Sequence, residues 1–550
     1  MSRSRGDREQ PPPQKPTAGQ QAAAFRFLLV GAGLALVLVY FLGQILDYES
    51  RSTVLWTYGR FAGVALFAWV GHSIGLGKGR VVAENLECLA IAVVMALILK
   101  YFLVEAYKIP TGSMQPTILG DENSAIFDRV LVNKFAYLVD DPERYDVIVF
   151  KFPLDRSKNY IKRLIGLPGE QITIFGGNIY ASRRGEDGTF GPMKIARKER
   201  QIREAVMKTV YPSGRPNETF DAAFQVVTGS HSVDGDEVTL SAGTQIRFGH
   251  GEPIRDRYLD GYDPDWQIRA PDHVAEFGRE VVSDLGVRFE FSPGAGCKEA
   301  RLSILANEIE HRAVVGIGRD TGSRLESGYV GSAGDDLVAV CSLGTVVAND
   351  PDLSIEPGET VEIAFFHVDQ ELVLEIDGRQ RLSFPYEISE SSGSEAAPGV
   401  FPMPRRSDRN SVVVEIRGGP ATLDGLKILR DIHYTNHGHS GKNVFEIPDD
   451  SLFALGDNTQ NSHDGRMWTA ERVTFKDGRK VLREHRDYGW DTLEFIDIYG
   501  ETYRAPYGQE PIIDRKGIDP FNFIPRNLLL GKAIAVFWPI FPHFRWKLLR

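Results

Sequence analysis

The sequence predicts a mainly β protein carried on N-terminal transmembrane helices, with an antiparallel β domain interrupted by an inserted β-sandwich of jelly-roll-like character. Three observations lead there. Three long apolar runs crowd into the first hundred residues. Beyond Thr117, apolar and polar residues alternate in short runs, as they do in half-buried strands. Glycines, 55 of the 550 residues, recur between those runs and supply the turns of an antiparallel sheet.

A chain of this length has room for two or three domains. Its 74 acidic and 63 basic residues give a formal net charge of −11, which argues against nucleic acid as a partner. Three cysteines are too few for a disulfide framework. Cys88 falls in an apolar run, while Cys297 and Cys341 are open to two readings, a bonded pair or two buried thiols.

Residues 1–26 read as a polar cytoplasmic tail, with Pro11-Pro12-Pro13 inside it. The apolar runs Phe27–Leu46, Val54–Leu76 and Leu86–Val104 are each about long enough to cross a bilayer, giving an anchor over 27–104. The second run is interrupted by Arg60 and His72, so a buried core helix is its alternative. No small-x-small cleavage site follows the first run, so it reads as an anchor rather than a removable leader. Arg3, Arg5, Arg8, Lys15 and Arg26 precede the first run, and Lys78 and Arg80 lie between the second and third. By the positive-inside rule these loops are cytoplasmic, and everything after Val104 is extracytoplasmic at the inner membrane.

The third run delivers Tyr107-Lys108-Ile109-Pro110-Thr111-Gly112-Ser113-Met114-Gln115-Pro116-Thr117 just outside the membrane. Prolines on both sides limit the backbone, and Gly112 permits close approach to another group, so Ser113 is a candidate nucleophile. Taken alone, Gly-Ser is ordinary turn chemistry. Strands are expected over Phe127–Phe135 and Tyr145–Pro153, followed by Asn159–Glu170, in which Lys162 interrupts apolar residues. Seen in isolation, that last run reads as a strand with Lys162 facing solvent. The sharper alternative is a lysine desolvated among apolar neighbours, which loses proton affinity and can act as a base.

Ser113 followed by Lys162 after a membrane span resembles the bacterial type I signal peptidases, a family of Ser–Lys proteases. Ile109–Thr117 resembles the family's nucleophile box, Asp128–Val132 the strand that follows it, and Tyr160–Glu170 the general-base box. Gly456-Asp457-Asn458-Thr459-Gln460-Asn461-Ser462-His463-Asp464-Gly465-Arg466 resembles the last box, and Asn527–Val536 the closing strand. There are two departures: Thr111 stands where many members have Ser, and Gly465 where a Ser is usual.

The resemblance implies an antiparallel β catalytic domain of signal-peptidase type, with parts at 105–176 and 443–550. It implies Ser113 as nucleophile and Lys162 as base. Thr111 and the Ser113 amide would hold the oxyanion, and Ser462 would orient the Lys162 amine. Arg163, Asp457, Asp464 and Arg466 would be structural ion pairs, and Ile109, Pro110 and Ile161 would line pockets for small side chains. No cofactor or metal is expected. The implied partners are exported preproteins and the lipid bilayer, which the aromatic stretch Phe537–Lys547 would touch, unless it closes the core instead.

The central region, 177–442, has the size of a separate domain. Val361, Ile363 and Phe365 alternate, as do Leu372, Leu374 and Ile376, with Asp377-Gly378 marking a turn. Val412, Val414 and Ile416 repeat the pattern. The hairpin is similar to those of laminin-G and concanavalin-type jelly rolls. A module of this kind would bind a glycan, cell-wall material or a protein, or simply widen the enzyme. His433, His437 and His439 have zinc-compatible spacing, but no Cys or carboxylate completes a ligand set and the stretch reads as a loop. A smaller insertion, 469–525, is polar and turn-rich. The leading reading is therefore a membrane-bound serine endopeptidase that removes signal peptides. Its alternative is a catalytically silent anchored scaffold whose sandwich binds an extracytoplasmic glycan or protein.

Overall fold

The computed structural model describes Gly19, Gln21, Arg26 and residues 104–550, apart from 122–125, 214–217, 264–269, 272–273, 275–277, 320, 330–344, 390–399, 403–408, 437–443, 477, 479, 485–491, 499–500, 507–511 and 540–544. The chain divides into two units, Met1–Glu105 and Ala106–Arg550. Nearly all of the three predicted spans lies outside the described residues. Among the described residues no helix is long and apolar enough to cross a membrane.

Unit Ala106–Arg550 is mainly β. Its first sheet uses β1 (Val104–Lys108), β2 (Arg129–Asn133), β3 (Val147–Phe152), β4 (Asp155–Gly166), β5 (Ser451–Leu455), β6 (Ile524–Pro525), β7 (Leu529–Trp538) and β8 (Lys547–Leu548). The order is β1-β2-β7-β3-β4-β5-β6, with β8 on β7. Strands from both ends of the unit are thus interleaved, and the last hundred residues complete a sheet begun before residue 170. β3 and β4 pair antiparallel, with Ile148 opposite Lys162. From Ile161 to Gly166 every residue of β4 is buried. Such a strand is covered on both faces, so a lysine within it has no solvent side.

Two eight-stranded sheets make up most of 208–430 and share one hydrophobic core. In one, Leu285–Pro293 lies between Ala421–Arg430 and Val361–Val368. In the other, Glu299–Ala306 lies between Asn410–Arg417 and Ile309–Ile317. The residues expected to point inward do so: Val361, Ile363, Phe365, Leu372, Leu374, Ile376, Val412, Val414 and Ile416 all join the shared core. Asp377 and Gly378 take φ of 50° and 66°, the paired left-handed geometry that closes a two-residue hairpin. The opposite face is apolar too, with Ala364, Phe366, Val368 and Val373 forming a second cluster against Met207. The helix Arg200–Val206 precedes Met207, and its Arg203 pairs with the buried Glu375.

A four-stranded sheet containing Glu170–Phe175 and Asn178–Arg183 carries the chain out of the first sheet. Nearby, Lys198 Nζ lies 2.6 Å from Asp369 and 2.7 Å from Asp431, fastening this region to the large sheets. Asp284 completes a buried carboxylate cluster there, and burial followed by repulsion from Asp369 pushes its carboxyl up to about 8. The smaller insertion contains a three-stranded sheet, Lys480–Glu484, Thr469–Phe475 and Ile512–Pro520, and the hairpin Thr492–Ile496/Thr502–Pro506. Cys297 is a buried free thiol, and Cys88 and Cys341 lie outside the described residues. So do His437 and His439, while His433 is buried.

Candidate active site

Ser113 sits in a 3₁₀ turn, Gly112–Met114, directly after β1. Met114 is fully buried in a cluster with Ile109, Ile118, Val130 and Ile161, and this apolar plug fixes the turn against the sheet. The last box grips the turn from the other side. Asn458 donates its backbone N–H to the Ser113 carbonyl at 3.1 Å and its side-chain amide to the Gly112 carbonyl at 2.9 Å. Gly456 lies so close that a Cβ there would stand 2.3 Å from the Ser113 carbonyl. Only glycine fits such an approach.

Lys162 reaches across from β4, with Nζ 2.5 Å from Ser113 Oγ. Both residues are buried, at 3% and 8% exposure. Burial pulls the lysine down to about 8, against the opposing pull of Asp464 and Asp457 and with a smaller push from Arg466. The solvent-facing reading of Lys162 is thus wrong, because both faces of β4 are covered here. An amine near neutrality beside a serine hydroxyl can accept that hydroxyl's proton.

Arg163, Asp457, Asp464 and Arg466, the expected ion-pairing residues, form two ion pairs. Arg163 meets Asp457 through two bonds, Nε to Oδ1 at 2.8 Å and Nη2 to Oδ2 at 2.7 Å. Arg466 meets Asp464 in the same way, at 2.8 and 2.7 Å. Burial works to raise both carboxyls, yet the guanidiniums and their hydrogen bonds hold each below the usual range. Asp464 also accepts the Gly456 amide, and Asp457 accepts the Thr117 hydroxyl at 2.6 Å, so both pairs position loops beside Ser113 and Lys162.

Thr111 is exposed and its hydroxyl caps nothing in the turn it precedes. Ser462 is drawn against Gly456, where an added Cβ would meet its Oγ at 2.1 Å. The hydrogen bond expected between Ser462 and the Lys162 amine is not formed, and the buried Ser462 Oγ has no hydrogen-bond partner among the described residues. Of the three expected pocket residues, Ile109 and Ile161 are buried in the plug and only Pro110 is exposed. Within the aromatic stretch Trp546 is 56% exposed, whereas Arg545 pairs with Asp128 at 3.0 Å and Leu549, just beyond the stretch, is core.

Residues 82–243, which enclose both Ser113 and Lys162, match the family described as signal peptidase, peptidase S26. Over these residues the chain is similar to that family. Signal peptidase I of Pseudomonas fluorescens is 43% identical over 90 residues, 14% of this chain and 30% of that protein. A probable signal peptidase I-2 of Synechocystis is 35% identical over 119 residues, 19% of this chain and 51% of that protein. Signal peptidase I of Rickettsia prowazekii is 29% identical over 205 residues, 34% of this chain and 74% of that protein. The chain thus spans only about a third to a half of the Pseudomonas and Synechocystis relatives. Among solved structures, a carbohydrate-binding module of Bacillus subtilis covers 38% of the chain, and 94% of that module is covered. It is 8% identical with a TM-score of 0.23, a score that says nothing about what the inserted sheets bind.

Sequence reasoning missed several residues at this site. Gln115, Thr117, Lys208, Tyr258 and Tyr262 all contact its loops. Gln115 and Thr117 lie inside the stretch Ile109–Thr117. The other three belong to the inserted region, where no local pattern marks them.

Proposed function

We propose that this protein is a membrane-bound serine endopeptidase that removes signal peptides from exported preproteins with a Ser–Lys dyad. The observation that carries the reading is the contact of Lys162 Nζ with Ser113 Oγ inside a buried site that draws the amine toward neutrality. Lys162 takes the Ser113 proton as Oγ attacks the scissile carbonyl. The oxyanion is held by the Ser113 amide and the Thr111 hydroxyl. The protonated Lys162 then passes its proton to the leaving amine, and water hydrolyses the acyl-enzyme. Ser462, without a partner among the described residues, receives a hydrogen bond from the ammonium that forms in this cycle.

The substrates are preproteins with small residues before the scissile bond, received beside Ile109, Pro110 and Ile161. The catalytic unit works on the extracytoplasmic side of the inner membrane, anchored by the multi-pass segment 27–104. Exposed Leu138 and Val139, at 77% and 64%, suit a surface that rests on lipid.

Cleavage of a model preprotein by detergent-solubilised protein tests the reading, with Ser113→Ala and Lys162→Ala as controls. Cutting after a small-x-small site that vanishes in both variants is expected. Failure of folded wild type to cut several preproteins, in lipid as well as detergent, would reject the reading in favour of the anchored scaffold.

A further inference from the structure

A strap from the inserted region, Ile254 to Tyr262, lies across the turn that carries Ser113. Tyr258 and Tyr262 both donate their hydroxyls to Gln115 Oε1, at 3.1 and 2.9 Å. Gln115 Nε2 donates in turn to the Gly120 carbonyl at 3.0 Å, so the side chain spans the whole turn after Ser113. Tyr258 also receives the Asn458 amide at 3.2 Å, and that amide already binds the Gly112 carbonyl. Gln460 of the last box donates to Asp256 on the same strap. Gly261 passes so close that a Cβ there would meet Lys208 at 3.1 Å and Pro116 at 3.3 Å.

The strap takes its position from the large sheets. Asn410, on a strand of one sheet, accepts the Ile254 amide at 2.6 Å and donates to the Ile254 carbonyl at 2.8 Å. Arg430, at the end of a strand of the other, donates to Asp260 at 2.6 Å and to the Arg257 carbonyl at 2.7 Å. Ile254, Asp260, Asn410 and Arg430 are buried. A purely appended domain needs no such contacts with the nucleophile loop.

We propose that Tyr258 and Tyr262 are positioning residues for the nucleophile, so that the inserted domain completes the active site by holding Gln115 and, through it, Ser113. This rests on the proposed peptidase activity. Two hydroxyls on one acceptor make each partly redundant, so Tyr258→Phe and Tyr262→Phe are each expected to slow turnover by no more than about threefold. The double variant loses both bonds and is expected to lower kcat by about tenfold or more, because small displacements of a reacting group are costly. KM and the pH at which activity rises remain those of wild type.

The experiment measures full-length protein in detergent on a preprotein substrate, with and without Gln115→Ala. In the Gln115→Ala background, the two tyrosine substitutions are expected to cost nothing more. A double variant as active as wild type, or an equal loss in both backgrounds, would overturn the proposal. Amide hydrogen exchange over 112–117 separates this from failure of the peptidase reading itself. If wild type does not cut, faster exchange in the double variant still supports the clamp, and unchanged exchange rejects it.

Discussion

Arg163 and Asp457 form a two-point ion pair with almost no solvent access, at 1% and 0% side-chain exposure. Arg163 is the neighbour of Lys162 on β4, so the pair fixes the strand that presents Lys162 to Ser113. The Arg163 guanidinium also binds the Tyr145 carbonyl and that of the terminal Arg550, each at 2.8 Å. Asp457→Asn leaves a buried guanidinium without its counter-charge, and breaking a pair of this kind costs about 3–5 kcal/mol. A thermal melt of the solubilised protein is expected to show a large drop in Tm. A melt unchanged from wild type would mean that the pair is dispensable.

Activity is expected to rise with pH through a limb near 8, where Lys162 loses its proton. The folded protein lowers this lysine from 10.5, so it favours the neutral form. The stability linked to Lys162 is therefore full above 10.5 and is lost as pH falls toward 8. Its size is about 3 kcal/mol. Relative to wild type, Lys162→Met removes that slope, which denaturant unfolding at pH 7.5 and 10.5 reads directly. A kcat/KM profile flat between pH 6 and 10 would contradict the assigned base.

Thr111→Val tests the oxyanion assignment. The Thr111 hydroxyl is exposed and makes no cap bond, so the fold is expected to keep its stability. Losing one oxyanion donor costs about 3 kcal/mol of barrier, roughly a hundredfold in kcat. Thr111→Ser is expected to retain activity. A valine variant with wild-type kcat would leave the oxyanion to backbone donors.

The local chemistry was legible in the sequence because it lies in short runs. Ile109–Thr117, Tyr160–Glu170 and Gly456–Arg466 each carry their residue types in fixed order, and strand alternation at Val361–Phe365 and Leu372–Ile376 named core residues correctly. The burial of Lys162 was not legible from its own stretch. It depends on β3, on β5 from 290 residues later in the chain, and on the loops around them. The clamp on Gln115 was invisible for the same reason, since Tyr258 and Tyr262 are ordinary loop tyrosines until the two large sheets fix Ile254 and Arg257.

Gly465 explains one departure from the family pattern and supplies a further test. A Cβ at this position would stand 2.7 Å from the Asn522 carbonyl and 3.0 Å from the Phe453 ring. Asn522 also donates its side-chain amide to the Gly465 carbonyl, so the two backbones are held together and neither can retreat freely. Asn522 lies at the end of the smaller insertion, beside β6, and its approach leaves no room for the serine usual in the family. Gly465→Ser is therefore expected to destabilise the protein by about 1–3 kcal/mol, as overpacking does. Its effect on activity should follow from lost folded protein, because Asp464 and Arg466 keep their own bonds. Urea unfolding of the variant beside wild type measures the cost, and a serine variant as stable as wild type would refute the steric account.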